Sequence, residues 1–212
     1  MSEASRTSRN VMRSDGIIGV YYSIISYRSM NMNPVDESII ALWDKYHLPE
    51  KKRIHVTLVA RVCEYIGMKV NEFSNELVIN LKQLQTADLL HDIDNGVEFL
   101  TGERHPDAAV RILRNEQLDP IADIVKTHSL TSVLNAEIKP QKWVEKVLYV
   151  SDKMVKYEII TLDKRFALWR SEALPASALR TLDLCYPLAK KLELEIFSYI
   201  QESPDSLSRI LA

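Results

Sequence analysis

Glycine is scarce in this chain, with five in 212 residues, and there are only two cysteines and 8% aromatic residues. So few glycines leave little material for the tight left-handed turns on which hairpins depend. No stretch alternates apolar and polar residues as a half-exposed strand would, and the class that remains is all-α. Cys63 and Cys185 lie far apart, which excludes paired zinc-knuckle spacing and a disulfide framework and fits a reducing cytoplasm. The net charge of -2 leaves no broad basic footprint for nucleic acid. Long apolar runs are missing too. The best candidate, Gly16 to Tyr27, follows Arg6, Arg9 and Arg13 and lacks a small-x-small cleavage site. It falls short of the roughly 20 residues that a bilayer requires, so no membrane association is expected. It is read as part of a poorly ordered extension over residues 1–32, with the functional domain beginning near Met30 or Met32.

What the chain does contain is helical periodicity. Asn33-Pro34 ahead of Asp36 and Glu37 predicts a first helix over about 34–46, capped by Asn33 with proline in its first turn. After Pro49, residues Ile54, Leu58, Val59, Val62, Tyr65 and Ile66 repeat at helical spacing up to Gly67, read as a left-handed stop. A third helix carries Leu77, Leu81, Leu84, Ala87, Leu90 and Ile93 and ends in His91-Asp92 before Asn95-Gly96 breaks it. Short helices are predicted over 106–114 and 120–128, a longer segment over 139–169, and a last helix from Pro175 to Ile200. Trp43, Trp143 and Trp169 fall on apolar patterns and are read as core or edge anchors. The expected architecture is a single bundle of six to eight helices, a domain over 33–170 with a helical appendage over 171–212 packed on it. Leu182, Leu184, Leu188, Leu192 and Ile196 give that appendage an apolar face that could pair with a second copy in a homodimer.

Four of the five histidines, His55, His91, His105 and His128, fall where predicted helices end or turn toward one another. Imidazole and carboxylate suit divalent transition metals, and a site closed by several helices needs ligands dispersed in this way. The fifth, His47 beside Leu48-Pro49, is read as a residue complementing a helix C-terminus. A His-Asp dipeptide alone carries little information. In Ala87-Asp88-Leu89-Leu90-His91-Asp92-Ile93 it carries more, because the apolar residues bury the helix and leave the dipeptide projecting into a cleft.

With His55 in HVTLVARVCEYIG, His91-Asp92 in ADLLHDI and Asp152 in VEKVLYVSDKMVKYE, the chain resembles the HD-domain superfamily of metal-dependent phosphohydrolases over about residues 34–170. The resemblance implies that those four residues hold one divalent ion. His105 in RHPDAAVRIL and His128 in IADIVKTHSL sit where two-metal members carry extra ligands, so one or two ions are expected (Mn, Fe, Ni, Co, Zn or Mg), bridged by Asp92 if there are two. Ile93-Asp94-Asn95-Gly96 departs from the Ile-Gly of the HD-GYP branch and no GYP triplet occurs, which argues against a cyclic dinucleotide. The implied reaction is cleavage of a phosphate ester or anhydride, of a nucleotide in the first instance, by metal-activated water. Asp92 is central to that chemistry. Lys156 and Lys153 are expected to act with it, Arg104 and Lys126 to bind substrate, and Asp88 to orient a ligand imidazole or serve as a base. Two other readings share the ligand set: a di-iron oxygenase, and a regulatory module that binds a nucleotide without turning it over.

Overall fold

The computed structural model describes residues 35–76 and 78–211. The expected extension over 1–32, the Asn33-Pro34 cap and Leu77 lie outside the described residues. Within them are nine α-helices: α1 (Glu37–Lys45), α2 (Glu50–Glu72), α3 (Leu81–Leu90), α4 (Asp107–Asn115), α5 (Asp119–Val125), α6 (Trp143–Lys153), α7 (Leu162–Ser171), α8 (Ala176–Tyr199) and α9 (Pro204–Ile210). Two 3-10 turns, Ile93–Gly96 and Leu130–Leu134, interrupt the series. The all-α expectation holds, the only strand-like pairing among the described residues being an isolated bridge between Val155 and Ile159.

The centre of the bundle is α2, whose Val56, Val59, Val62, Cys63 and Ile66 are fully buried as it packs against α3 and α6. Gly67 does not end it. A Cβ there would lie 2.9 Å from Leu81 Cδ2 and 3.0 Å from Leu84 Cδ2, so this glycine lets α2 and α3 approach closely while the helix continues to Glu72. The first helix starts later than the sequence predicts, because Asp36 accepts the Ser38 N–H at 2.8 Å and caps it. The segment predicted over 139–169 is two helices. The chain reverses after Lys153, where Lys156 N–H donates to Glu158 O and Ile160 N–H to Met154 O, and Thr161 caps α7. The long α8 packs on α6, α7 and the 130–134 turn. No helix of the described residues is long and apolar enough to cross a membrane.

Helices close without glycine. His47, Gln117 and Gln201 adopt φ of 53°, 60° and 54°, and the next residue in each case bonds back five positions, from Leu48 to Trp43 O, Leu118 to Leu113 O and Glu202 to Phe197 O. These are Schellman closures, in which a left-handed residue lets the chain satisfy the last carbonyls. The reversal at His47 carries the backbone against Gly96, where a Cβ would overlap the carbonyls of Tyr46 and His47.

Two substitutions should therefore move stability in opposite directions. Gln117→Gly removes a left-handed side chain on an exposed turn and should gain about 1 kcal/mol. Gly96→Ala forces backbone against backbone and should cost about 2 kcal/mol or more. Urea midpoints measured at constant m-value test both.

Candidate metal centre

Each member of the site is placed by a helix end or its first turns. His55 lies in the second turn of α2, and His91 caps the C-terminus of α3. Asp92 leads into the 3-10 turn at Ile93. His105 precedes α4, His128 follows α5, and Asp152 is in the last turn of α6. Two histidines use the same local device. His91 Nδ1 lies 2.7 Å from Asp88 O and His128 Nδ1 lies 2.5 Å from Val125 O, each reaching the carbonyl three residues back. A carbonyl only accepts, so Nδ1 carries a hydrogen and Nε2 is the nitrogen turned toward the site. For His105 the partner is a buried carboxylate: Nδ1 lies 3.0 Å from both oxygens of Asp94.

The Nε2 atoms so aimed converge on two carboxylates. His55 Nε2 lies 3.0 Å from Asp152 Oδ1 and 3.9 Å from Asp92 Oδ2. His91 Nε2 lies 3.6 Å from Asp152 Oδ1 and 3.8 Å from Asp92 Oδ2. His105 Nε2 is 3.6 Å from Asp92 Oδ1 and 2.9 Å from His128 Nε2. Three overlapping trios result, His55/His91/Asp92, His91/His128/Asp152 and Asp92/His105/His128, each with its ligand atoms within 4.8 Å of one another. His91 Nε2 is decisive for the fit, because it is buried and makes no hydrogen bond. Ligands with bonds of about 2.1 Å stand about 3–3.5 Å apart around a shared ion, which is close to the spacing of its neighbours. The donor set could hold a divalent cation.

A family model described as HD domain matches residues 53–165, just over half of the chain. The chain belongs to the HD-domain family. No curated protein and no solved structure matches it. The dipeptide that names the HD domain is His91-Asp92, and the match takes in all six residues of the cluster.

Electrostatics in this HD domain follow from packing two anions into a buried space. Burial alone would strip the proton from His91, yet the charges of Asp92 and Asp152 outweigh it and hold the imidazole at about 9. Burial also opposes ionisation of Asp92, but His91 and Lys52 keep its carboxyl well below the usual range. Asp152 is held low against burial by Lys153, by the His55 imidazole hydrogen-bonded to it and by the charge of the nearby His91. Burial and the surrounding cations push His128 well below an ordinary imidazole. The two buried carboxylates thus draw on the charges of His91, Lys52 and Lys153.

A cleft of about 480 Å³ opens over the cluster. Of the four cationic candidates, Lys153 and Lys156 line it, while Arg104 and Lys126 do not and are exposed elsewhere. Residues one or two apart leave a turn or a helix end on different faces, so closeness in sequence to His105 and His128 did not carry them to the cleft. Asp88 is fully buried with both carboxylate oxygens unpartnered, and burial raises its carboxyl well above the usual range. It orients His91 through its backbone carbonyl, and it is not among the residues that line the cleft. Trp169, read as an anchor, stands half-buried at the cleft with the Arg165 guanidinium 4.5 Å from its ring centre.

Sequence reasoning missed Asp94 and Lys52. Asp94 was legible only as a departure from the family pattern. Lys52 stands one helical turn before His55, a spacing that places both on one face; its Nζ lies 2.7 Å from Asp92 Oδ2.

Since His91 is raised from 6.5 to about 9, its charge interactions stabilise the ion-free fold fully below pH 6.5, and that contribution is lost as pH rises through about 9. Binding an ion must expel the same proton. Calorimetry of Mn²⁺ binding near neutral pH, in buffers of different ionisation heat, should show close to one proton released from His91, with affinity climbing until about pH 9; heats independent of buffer would contradict this. Asp94→Ala should weaken Mn²⁺ binding by about 10–100-fold, the usual effect of losing a carboxylate behind a ligand histidine.

Proposed function

We propose that this HD domain is a metal-dependent phosphohydrolase that cleaves a phosphate ester or anhydride of a nucleotide. The observation that carries the reading is the overlap of the trios at Asp92, His91 and His128 beneath a cleft walled by Lys52, Lys153, Lys156 and Arg165. His55, His91, Asp92 and Asp152 would hold one ion, and His105 and His128 would hold a second with Asp92 between them. A divalent ion there lowers the pKa of a bound water toward neutrality and polarises the phosphoryl oxygen under attack.

The chain's own residues supply the rest. The Nδ1 bonds of His91, His105 and His128 fix three imidazoles so that little reorganisation accompanies reaction. Ammonium and guanidinium groups on the wall balance charge that develops on the phosphoryl oxygens. Phe99 and Tyr157, 46% and 74% exposed, stand with Trp169 at the same cleft. Exposed aromatic rings beside a cationic pocket favour a substrate that joins a planar base to a phosphate.

The test is elemental analysis followed by a screen of nucleotides and simple phosphoesters with added Mn²⁺. Release of phosphate by the wild type, reduced on the order of a thousandfold in Asp92→Ala with the helical spectrum unchanged, is the expected outcome. Equal turnover by Asp92→Ala would remove the reading. Bound iron with oxygen consumption and no phosphate release would favour the di-iron oxygenase, and tight nucleotide binding without turnover would favour a regulatory module.

A further inference from the structure

We infer that Lys52 is the mobile cation of this site: its ammonium pairs with the Asp92 carboxylate and competes there with a divalent ion, and it moves to a phosphoryl oxygen of the substrate once such an ion takes that carboxylate. The second half rests on the phosphohydrolase reading; the first does not.

Lys51, Lys52 and Arg53 all fall in the first turn of α2, the end of a helix where unsatisfied N–H groups disfavour positive charge. Arg53 is compensated there by Asp44 at 2.8 Å and by Leu48 O at 2.9 Å. Lys52 has one partner among the described residues, Asp92 Oδ2 at 2.7 Å. That oxygen lies 3.9 Å from His55 Nε2 and 3.8 Å from His91 Nε2. The ammonium therefore sits against an atom of the first trio and repels any cation that enters it. Its side chain is 38% exposed and lines the cleft, so a swing of the ammonium toward solvent breaks one ion pair.

The other lysines on the wall are differently placed. Lys153 is 2% exposed and held at three points, by Asp152 Oδ2 at 2.7 Å, by His128 O, and by the Tyr149 ring 4.2 Å away. It is a fixed counter-charge tying the two halves of the cluster together. Lys156 pairs with Glu172 at 3.6 Å. Only Lys52 combines contact with a cluster carboxylate, a single bond and an open path into the cleft.

The experiment compares wild type, Lys52→Met and Lys52→Arg by calorimetry, first with Mn²⁺ and then, on the Mn²⁺-loaded proteins, with inorganic phosphate. Removal of the competing charge should tighten Mn²⁺ binding in Lys52→Met by on the order of tenfold, and removal of the phosphate contact should weaken phosphate binding by a similar factor. Lys52→Arg, which keeps the charge, should stay near wild type on both counts. Unchanged Mn²⁺ affinity in Lys52→Met, or phosphate binding that is absent from the wild type or insensitive to the substitution, overturns the assignment. Neither measurement needs turnover. A phosphoester screen that fails while both shifts appear would remove the hydrolase reading and leave Lys52 as the competitor for Asp92 and a contact for bound phosphate.

Discussion

The constraint that organises this structure is the burial of two carboxylates, Asp92 and Asp152, among four imidazoles whose ligand atoms come within 4.8 Å of them. Taking charges out of water costs several kcal/mol for each ion unless the interior compensates it. Here compensation comes from a proton on His91, from Lys52 on Asp92 and from Lys153 on Asp152. The arrangement has no apolar justification. It is the kind of electrostatic demand that a divalent cation meets better than a proton and a swinging lysine.

Everything around the cluster serves to bring helix ends together there. A helix terminus leaves its last carbonyls without partners, and α3 and α5 solve that problem with the histidines themselves. His91 and His128 bond their own terminal turns through Nδ1 and leave Nε2 for the site. Capping and ligand orientation are thus one interaction. Glycine is spent sparingly. Gly67 and Gly96 stand where backbone or neighbouring side chains leave no room for a Cβ, whereas helix closures that often use glycine are made by His47, Gln117 and Gln201.

The cations form a graded set. Lys153 is immobile and structural, Lys52 is half-free and in contact with a cluster oxygen, and Lys156 and Arg165 stand further out beside Tyr157 and Trp169. Such grading is what the proposed reaction would require of one cleft of about 480 Å³, a cation first and then a polyanion.

The all-α class, the His91-Asp92 helix end and the dispersed set of His55, His105, His128 and Asp152 were legible in the chain, because apolar periodicity and residue chemistry are local properties. Helix limits were less so. Gly67 was read as a stop because its partner surfaces, Leu81 and Leu84, are distant in sequence. Only the tertiary structure decided which polar groups face the cleft. It sent Arg104, Lys126 and the Asp88 carboxylate elsewhere, and brought in Lys52 and Asp94, whose roles exist only through contacts 40 and 11 residues away. Sequence thus determined which side chains were available to grip a cation; packing, which sets the direction in which each helix end points, decided the company they keep.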